Sequence, residues 1–193
     1  MDKVAVFCGS STGFNSLYKD AAIELGNYFA ENSITMVYGG GKIGMMGIIA
    51  DAIHVKNGKV IGVIPKLLEH EEVVNREASE LIITKKMSER KVIMSKLIDG
   101  YITLPGGFGT LDELFEALTL GQLHIEQKPV GLLNINGFFD YTLQQLDVMV
   151  QEGFLKQKNR DLLLVDKTVN GLMQQMLAYK APEVSHIINK VVR

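Results

Sequence analysis

The chain has 193 residues, 47% of them hydrophobic, with a formal net charge of −2, which supports one substantial core and leaves little for a second domain. No stretch approaches the roughly 20 apolar residues of a membrane span, and a near-neutral charge without a long basic run argues against duplex nucleic acid or a membrane surface as the main partner, while leaving room for local basic pockets. A single cysteine, Cys8, excludes an internal disulfide and fits a reducing cytoplasm, either as a small buried side chain or as a nucleophile.

Met1–Phe7 runs straight into a strand pattern, without a basic segment and a long apolar core before it, which predicts a soluble, unsecreted protein. Short β-like runs follow at Val4–Cys8, Ile34–Tyr38, Val60–Ile64, Leu81–Thr84, Tyr101–Leu104, Val130–Leu133 and Leu162–Val165. Between them, apolar spacing predicts helices at Ser16–Glu31, Gly44–Lys56, Ser88–Ile98, Leu111–Leu120, Phe138–Glu152 and Val169–Tyr179, with a last short one at Glu183–Lys190. The strand candidates are nearly continuous in apolar residues, as strands covered on both faces are. The expectation is therefore a single α/β domain with a Rossmann-like, doubly wound parallel sheet.

Ligands of such sheets bind beyond the carboxyl ends of the strands, so the turns there are read together. They are Gly9-Ser10-Ser11-Thr12-Gly13, Gly39-Gly40-Gly41-Lys42-Ile43-Gly44 and Pro105-Gly106-Gly107-Phe108-Gly109-Thr110. Each alone fits a tight strand-to-helix connection, whereas three on one edge point to an anion or nucleotide pocket. The third is the most telling, because glycines let backbone N–H groups approach a phosphate and the following helix start adds unpaired donors. Gly39, Gly41 and Gly44 satisfy G-x-G-x-x-G, but Val63-Ile64 runs into Pro65-Lys66 where a dinucleotide site needs an acidic residue.

Two charged residues sit against the apolar pattern. Arg90 precedes Ile93, Met94 and Leu97 by three, four and seven positions and shares their stripe, so it either meets an anion or packs its stem while its head reaches water. In the next helix Leu111, Leu114, Phe115 and Leu118 mark one face, while Glu113 lies opposite with Ala117, Leu120 and His124. That second face is too apolar for open solvent, which suggests either the pocket or another subunit, hence an oligomer. Thr110-x-x-Glu113 also reads as a capping box, with a carboxylate used for chemistry as the alternative.

Met87-Ser88-Glu89-Arg90-Lys91 followed by Pro105-Gly106-Gly107-Phe108-Gly109-Thr110-Leu111-Asp112-Glu113 resembles the paired signature of the LOG ("lonely guy") family. Its members are cytokinin riboside 5′-monophosphate phosphoribohydrolases, often mislabelled lysine decarboxylases. The resemblance extends to Val6–Ser11, Tyr38–Gly41, Gly44–Gly47, Ile61–Pro65, Lys128–Asn134 and Glu152–Phe154. It implies hydrolysis of the N-glycosidic bond of a nucleoside 5′-monophosphate to free base and ribose 5-phosphate. Arg90 and Glu113 match the catalytic pair, and Glu72, Lys91, Gly107, Phe108, Gly109, Thr110, Leu111, Asp112, Glu113 and Thr119 match the substrate contacts.

The residue types agree with that chemistry. A carboxylate beside C1′ stabilises an oxocarbenium-like transition state and orients or deprotonates water, the role expected of Glu113, while Arg90 anchors the nucleotide or holds Glu113. The phosphate is expected on the Gly107–Thr110 amides, with Ser10 and Gly40 as further donors. No metal or other cofactor is expected, since His54, His70, His124 and His186 show no ligand spacing with one another or with Cys8. Nothing marks Lys42, Lys91 or Lys96 for the Schiff base a pyridoxal phosphate decarboxylase needs. Met45, Met46 and Met94 are either core filler or the lining of a slot for a prenyl tail. The expected assembly is a homodimer, and the rival reading is a carrier of a nucleotide-like ligand such as the molybdenum cofactor on the same fold.

Overall fold

Seven short strands form the centre of the molecule in a computed structural model that describes residues 1–69 and 74–182: β1 (Lys3–Phe7), β2 (Thr35–Tyr38), β3 (Val60–Pro65), β4 (Glu80–Thr84), β5 (Gly100–Thr103), β6 (Val130–Leu133) and β7 (Leu163–Asp166). All neighbours pair in parallel, in the order β4-β3-β2-β1-β5-β6-β7. The helices are α1 (Ser16–Glu31), α2 (Gly44–Val55), α3 (Met87–Leu97), α4 (Phe108–Gln122), α5 (Asp140–Gln151), the single turn α6 (Gln157–Arg160) and α7 (Val169–Ala178). The predicted Rossmann-like sheet is thus present, and the strand boundaries shift by one residue at most.

Both faces of the sheet are buried, which is why its central strands lack polar alternation. Val4, Val6, Met36 and Tyr38 pack with Leu25, Phe29, Ile49 and Met173 of α1, α2 and α7. Ala5, Phe7, Val37 and Tyr101 face Met94, Leu114 and Leu146 of α3, α4 and α5. Burying each large aliphatic or aromatic side chain contributes about 1.5–3 kcal/mol. Among the described residues, no helix is long and apolar enough to cross a membrane.

Two helices begin more than one residue from where the sequence suggests, and α3 begins one residue early, at Met87. α5 starts at Asp140 because the Asn134 side chain accepts from Phe139 N–H at 2.9 Å and donates to Asp140 at 2.7 Å, holding a preceding 3₁₀ turn at Ile135–Gly137. α4 starts at Phe108, three residues early, with Gly107 at its N-cap and no side chain capping it. The capping box is therefore absent: Thr110 is already buried within the first turn, and Glu113 turns elsewhere. The predicted helix at Glu183–Lys190 lies outside the described residues.

Strand order reverses between β1 and β5, so the crevice of this sheet opens where those strands end. The two turns there touch. Gly9 N–H donates to Pro105 C=O at 3.0 Å, and a Cβ on Gly9 would lie 3.3 Å from Gly106 Cα. From the other side, Gly44 enters α2 with φ +64°, where a Cβ would stand 2.3 Å from the Ser10 backbone. Gly44→Ala combines a left-handed backbone with a backbone clash, so denaturant unfolding should show a loss of at least about 2 kcal/mol.

Candidate active site

At this crevice two helices bring opposite charges together. Arg90 on α3 donates from Nη2 to Glu113 Oε1 on α4 at 2.9 Å, and the two side chains are only 14% and 15% exposed. Arg90 lies on the inward stripe with Met94, as its spacing predicts, and of the two readings left open it meets the anion. Its other donors are poorly served: Nη1 points at Met87 Sδ, 3.2 Å away, and the buried Nε has no partner among the described residues. A buried donor left unmet costs about 1–3 kcal/mol.

The pair borders an open cleft of about 370 Å³, within the range of small-molecule sites. Gly9 and Ser10 from the β1 turn, Gly39 from the β2 turn and Gly107–Thr110 from the start of α4 line it. Gly107, Phe108, Gly109 and Thr110 open the helix, where main-chain N–H groups lack intrahelical partners and the dipole is positive. A Cβ on Gly107 or Gly109 would meet nothing within 4 Å among the described residues, so the space above these two glycines is open. Gly106 differs, because its Cβ would stand 2.1 Å from Thr110 Oγ1, and this glycine serves the packing of the turn.

Burial raises the pKa of Glu113, while Arg90 and then Lys91 oppose that rise. Lys91 donates to Asp112 at 2.7 Å and pairs with Glu116 at 2.5 Å. Burial pulls its pKa down, but these two carboxylates raise it overall, so Lys91 stays an ammonium. Burial, then the charge of Glu113, pushes the Cys8 thiol far up, so Cys8 lines the cleft as a small apolar group and not as a nucleophile.

Several sequence-predicted residues sit apart from this cleft. Gly40 is buried with φ +75°, its carbonyl accepting from Asn75 N–H at 2.7 Å, and Gly39 lines the cleft in its place. The G-x-G-x-x-G spacing could not say which glycine faced the ligand. Leu111 packs against the core. Thr119 is exposed, donates to Phe115 C=O at 2.7 Å and borders a separate cavity with Leu146, Met149 and Arg160, so one chain does not bring it to Glu113. Glu72 lies outside the described residues.

On the face of α4 beyond Glu113, Ala117 is buried and Leu120 half-buried, and both line a small cavity with Phe7, Met94 and Tyr101, so part of this face lies against a pocket, one of the two alternatives its apolar character suggests. Of the three methionines, only Met46 reaches the cleft. Met87 and the 95%-exposed Phe108 join it there, a wall that helical spacing alone does not single out.

Because the folded pKa of Glu113 lies above its unfolded value, ionising it costs stability; that cost is absent below the unfolded pKa and complete above the folded one. Arg90→Ala should enlarge it, with a melting-temperature deficit larger near pH 8 than near pH 4.5 in thermal scans. Glu113→Gln removes the charge and should melt at or above wild type near pH 8. A deficit for Arg90→Ala that does not grow with pH would contradict this electrostatic account.

A family model described as "Possible lysine decarboxylase" matches residues 46–176. The chain is 41% identical over 190 residues to the cytokinin riboside 5′-monophosphate phosphoribohydrolase LOG7 of Arabidopsis thaliana, covering 98% of this chain and 87% of that protein. It is 44% identical over 177 residues to the cytokinin riboside 5′-monophosphate phosphoribohydrolase LOG of Oryza sativa subsp. japonica, covering 92% of this chain and 73% of that protein. The solved molybdenum cofactor binding protein of Rippkaea orientalis shares the fold, with a TM-score of 0.69 at 20% identity over 92% of this chain and 96% of that one. The chain thus belongs to the LOG family of cytokinin riboside 5′-monophosphate phosphoribohydrolases, and the decarboxylase wording of its family model is a label that the site's lysines do not fit.

Proposed function

We propose that the protein hydrolyses the N-glycosidic bond of adenosine 5′-monophosphate or its N6-modified forms, releasing free base and ribose 5-phosphate. The observation that carries this is a buried Arg90–Glu113 pair, 2.9 Å apart, beside an uncapped helix start with space kept open above its glycines. The phosphate rests on the Phe108–Thr110 N–H groups, with Ser10 beside them, and so fixes the ribose against Glu113. The bond from C1′ to the base breaks with its electron pair leaving on the base. A water oxygen bonds to C1′, Glu113 takes the water proton, and the departing base gains a proton from the site or solvent. Arg90, always charged, holds the Glu113 carboxylate and counters its burial.

Pyridoxal phosphate, which the decarboxylase label implies, would need a lysine that becomes a neutral amine. Lys91 is held as an ammonium by Asp112 and Glu116, and Lys42 and Lys96 are exposed and line no part of the cleft, so the lysines do not fit such a role. Met46, Met87 and Phe108 give the cleft an apolar wall suited to an N6-alkyl substituent. A cytoplasmic homodimer is the setting this reading favours: Phe108, Phe115, Leu123 and Ile125 stay exposed on α4 and the residues just after it, on the chain segment that also carries Thr119.

Purified protein incubated with AMP or isopentenyladenosine 5′-monophosphate should yield free base and ribose 5-phosphate by chromatography. Glu113→Gln should lower kcat by roughly 10²–10⁴-fold. Nucleotide that binds but stays intact would reject hydrolysis and favour a carrier. Gly109→Ala separates fold from function: alanine inside a helix should stabilise by about 0.5–1 kcal/mol, while its methyl enters the phosphate space and cuts turnover at least roughly tenfold.

A further inference from the structure

We propose that Gly39 is a positioning residue for Arg90: the side chain it lacks leaves the slot in which the guanidinium lies, and this sets the ion pair that prepares Glu113. The inference deepens the hydrolase reading and rests on it for its kinetic consequences.

Gly39 directly follows β2, and no backbone demand explains it. Its neighbour Gly40 and Gly44 occupy the left-handed region at φ +75° and +64°, whereas Gly39 does not. What a side chain would meet is specific. A Cβ at position 39 would stand 2.8 Å from Arg90 Nη2, 3.5 Å from Arg90 Cζ and 3.3 Å from Met46 Sδ. Nη2 is the nitrogen that donates to Glu113. All three atoms lie in the distal parts of flexible side chains, so the fold can absorb a methyl here, but only by moving the guanidinium.

The head of Arg90 has little else to hold it. Among the described residues, its one strong hydrogen bond is to Glu113, Nη1 faces the Met87 thioether, and Nε has no partner. Its position therefore depends on the walls around it: Gly39 after β2, Met46 on α2, Met87 on α3 and Glu113 on α4. Shape from four segments of the chain, and not a network of hydrogen bonds, aims the cation.

Gly39→Ala, Arg90→Ala and the double variant test this. The first readout is the titration of the Glu113 carboxyl by NMR in protein carrying ¹³C-labelled glutamate, with the signal assigned from its absence in Glu113→Gln. The charged and titratable groups facing Glu113 are Arg90 and Lys91 on α3, Asp112 and Glu116 on α4, and Cys8 at the end of β1. Gly39→Ala should move the Glu113 midpoint upward, in the direction of Arg90→Ala, and the double variant should titrate with Arg90→Ala. Base release should fall at least tenfold in kcat for Gly39→Ala, with a melting temperature near wild type at pH 4.5, where Glu113 ionisation costs least, and no further loss of kcat when it is added to Arg90→Ala. An unmoved Glu113 midpoint, equal fold-losses in both backgrounds, or a Gly39→Ala protein that does not fold would each overturn the proposal. The titration needs no turnover, so a wild type that releases no base would reject the hydrolase reading while the positioning role is still decided.

Discussion

A carboxylate set against an apolar core resists ionisation, and in this protein the guanidinium beside Glu113 is the main force opposing that resistance. Nearly everything else about the site follows from keeping those two groups together. They come from different helices, so their separation depends on how α3 and α4 dock on the same face of the sheet. Met94 and Leu114, both buried there, fix that docking. The core thus serves the chemistry by setting one distance between two charges.

The place of the pair is equally constrained. Among the described residues the strand order reverses only between β1 and β5, and the turns leaving those strands meet through the Gly9–Pro105 hydrogen bond. A helix start beside that contact offers unpaired N–H groups to an anion, and its glycines leave open the volume an anion needs. Gly44, Gly106 and Gly107 look alike in the sequence yet answer different demands: a backbone conformation, a close contact with Thr110, and free space.

Fold class was legible because parallel strands buried on both faces read as short apolar runs, and helices as 3.6-residue stripes. Arg90 was legible in part, since a cation on an apolar stripe breaks the pattern, but its spacing also fitted a packed stem with the head in water, and only the fold brings it to Glu113. Glu113 was ambiguous locally. The spacing from Thr110 fits a capping box, and only the docking of α3 shows that its carboxylate turns to Arg90. Gly39 could not be told from Gly40, because the choice depends on a left-handed φ one residue later. Thr119 came from family resemblance and, in a single chain, faces away from Glu113, a relation no local spacing encodes.

The account stands most directly on where a nucleotide lies relative to Glu113. A crystal structure of the Glu113→Gln variant with AMP bound would show this, since the variant should hold its substrate uncleaved. The expected result has the phosphate on the Phe108–Thr110 amides, Arg90 in its slot and C1′ facing residue 113 with room for one water between them. A phosphate bound elsewhere, or a C1′ turned away from residue 113, would contradict the assignment of Glu113 to glycosidic bond hydrolysis.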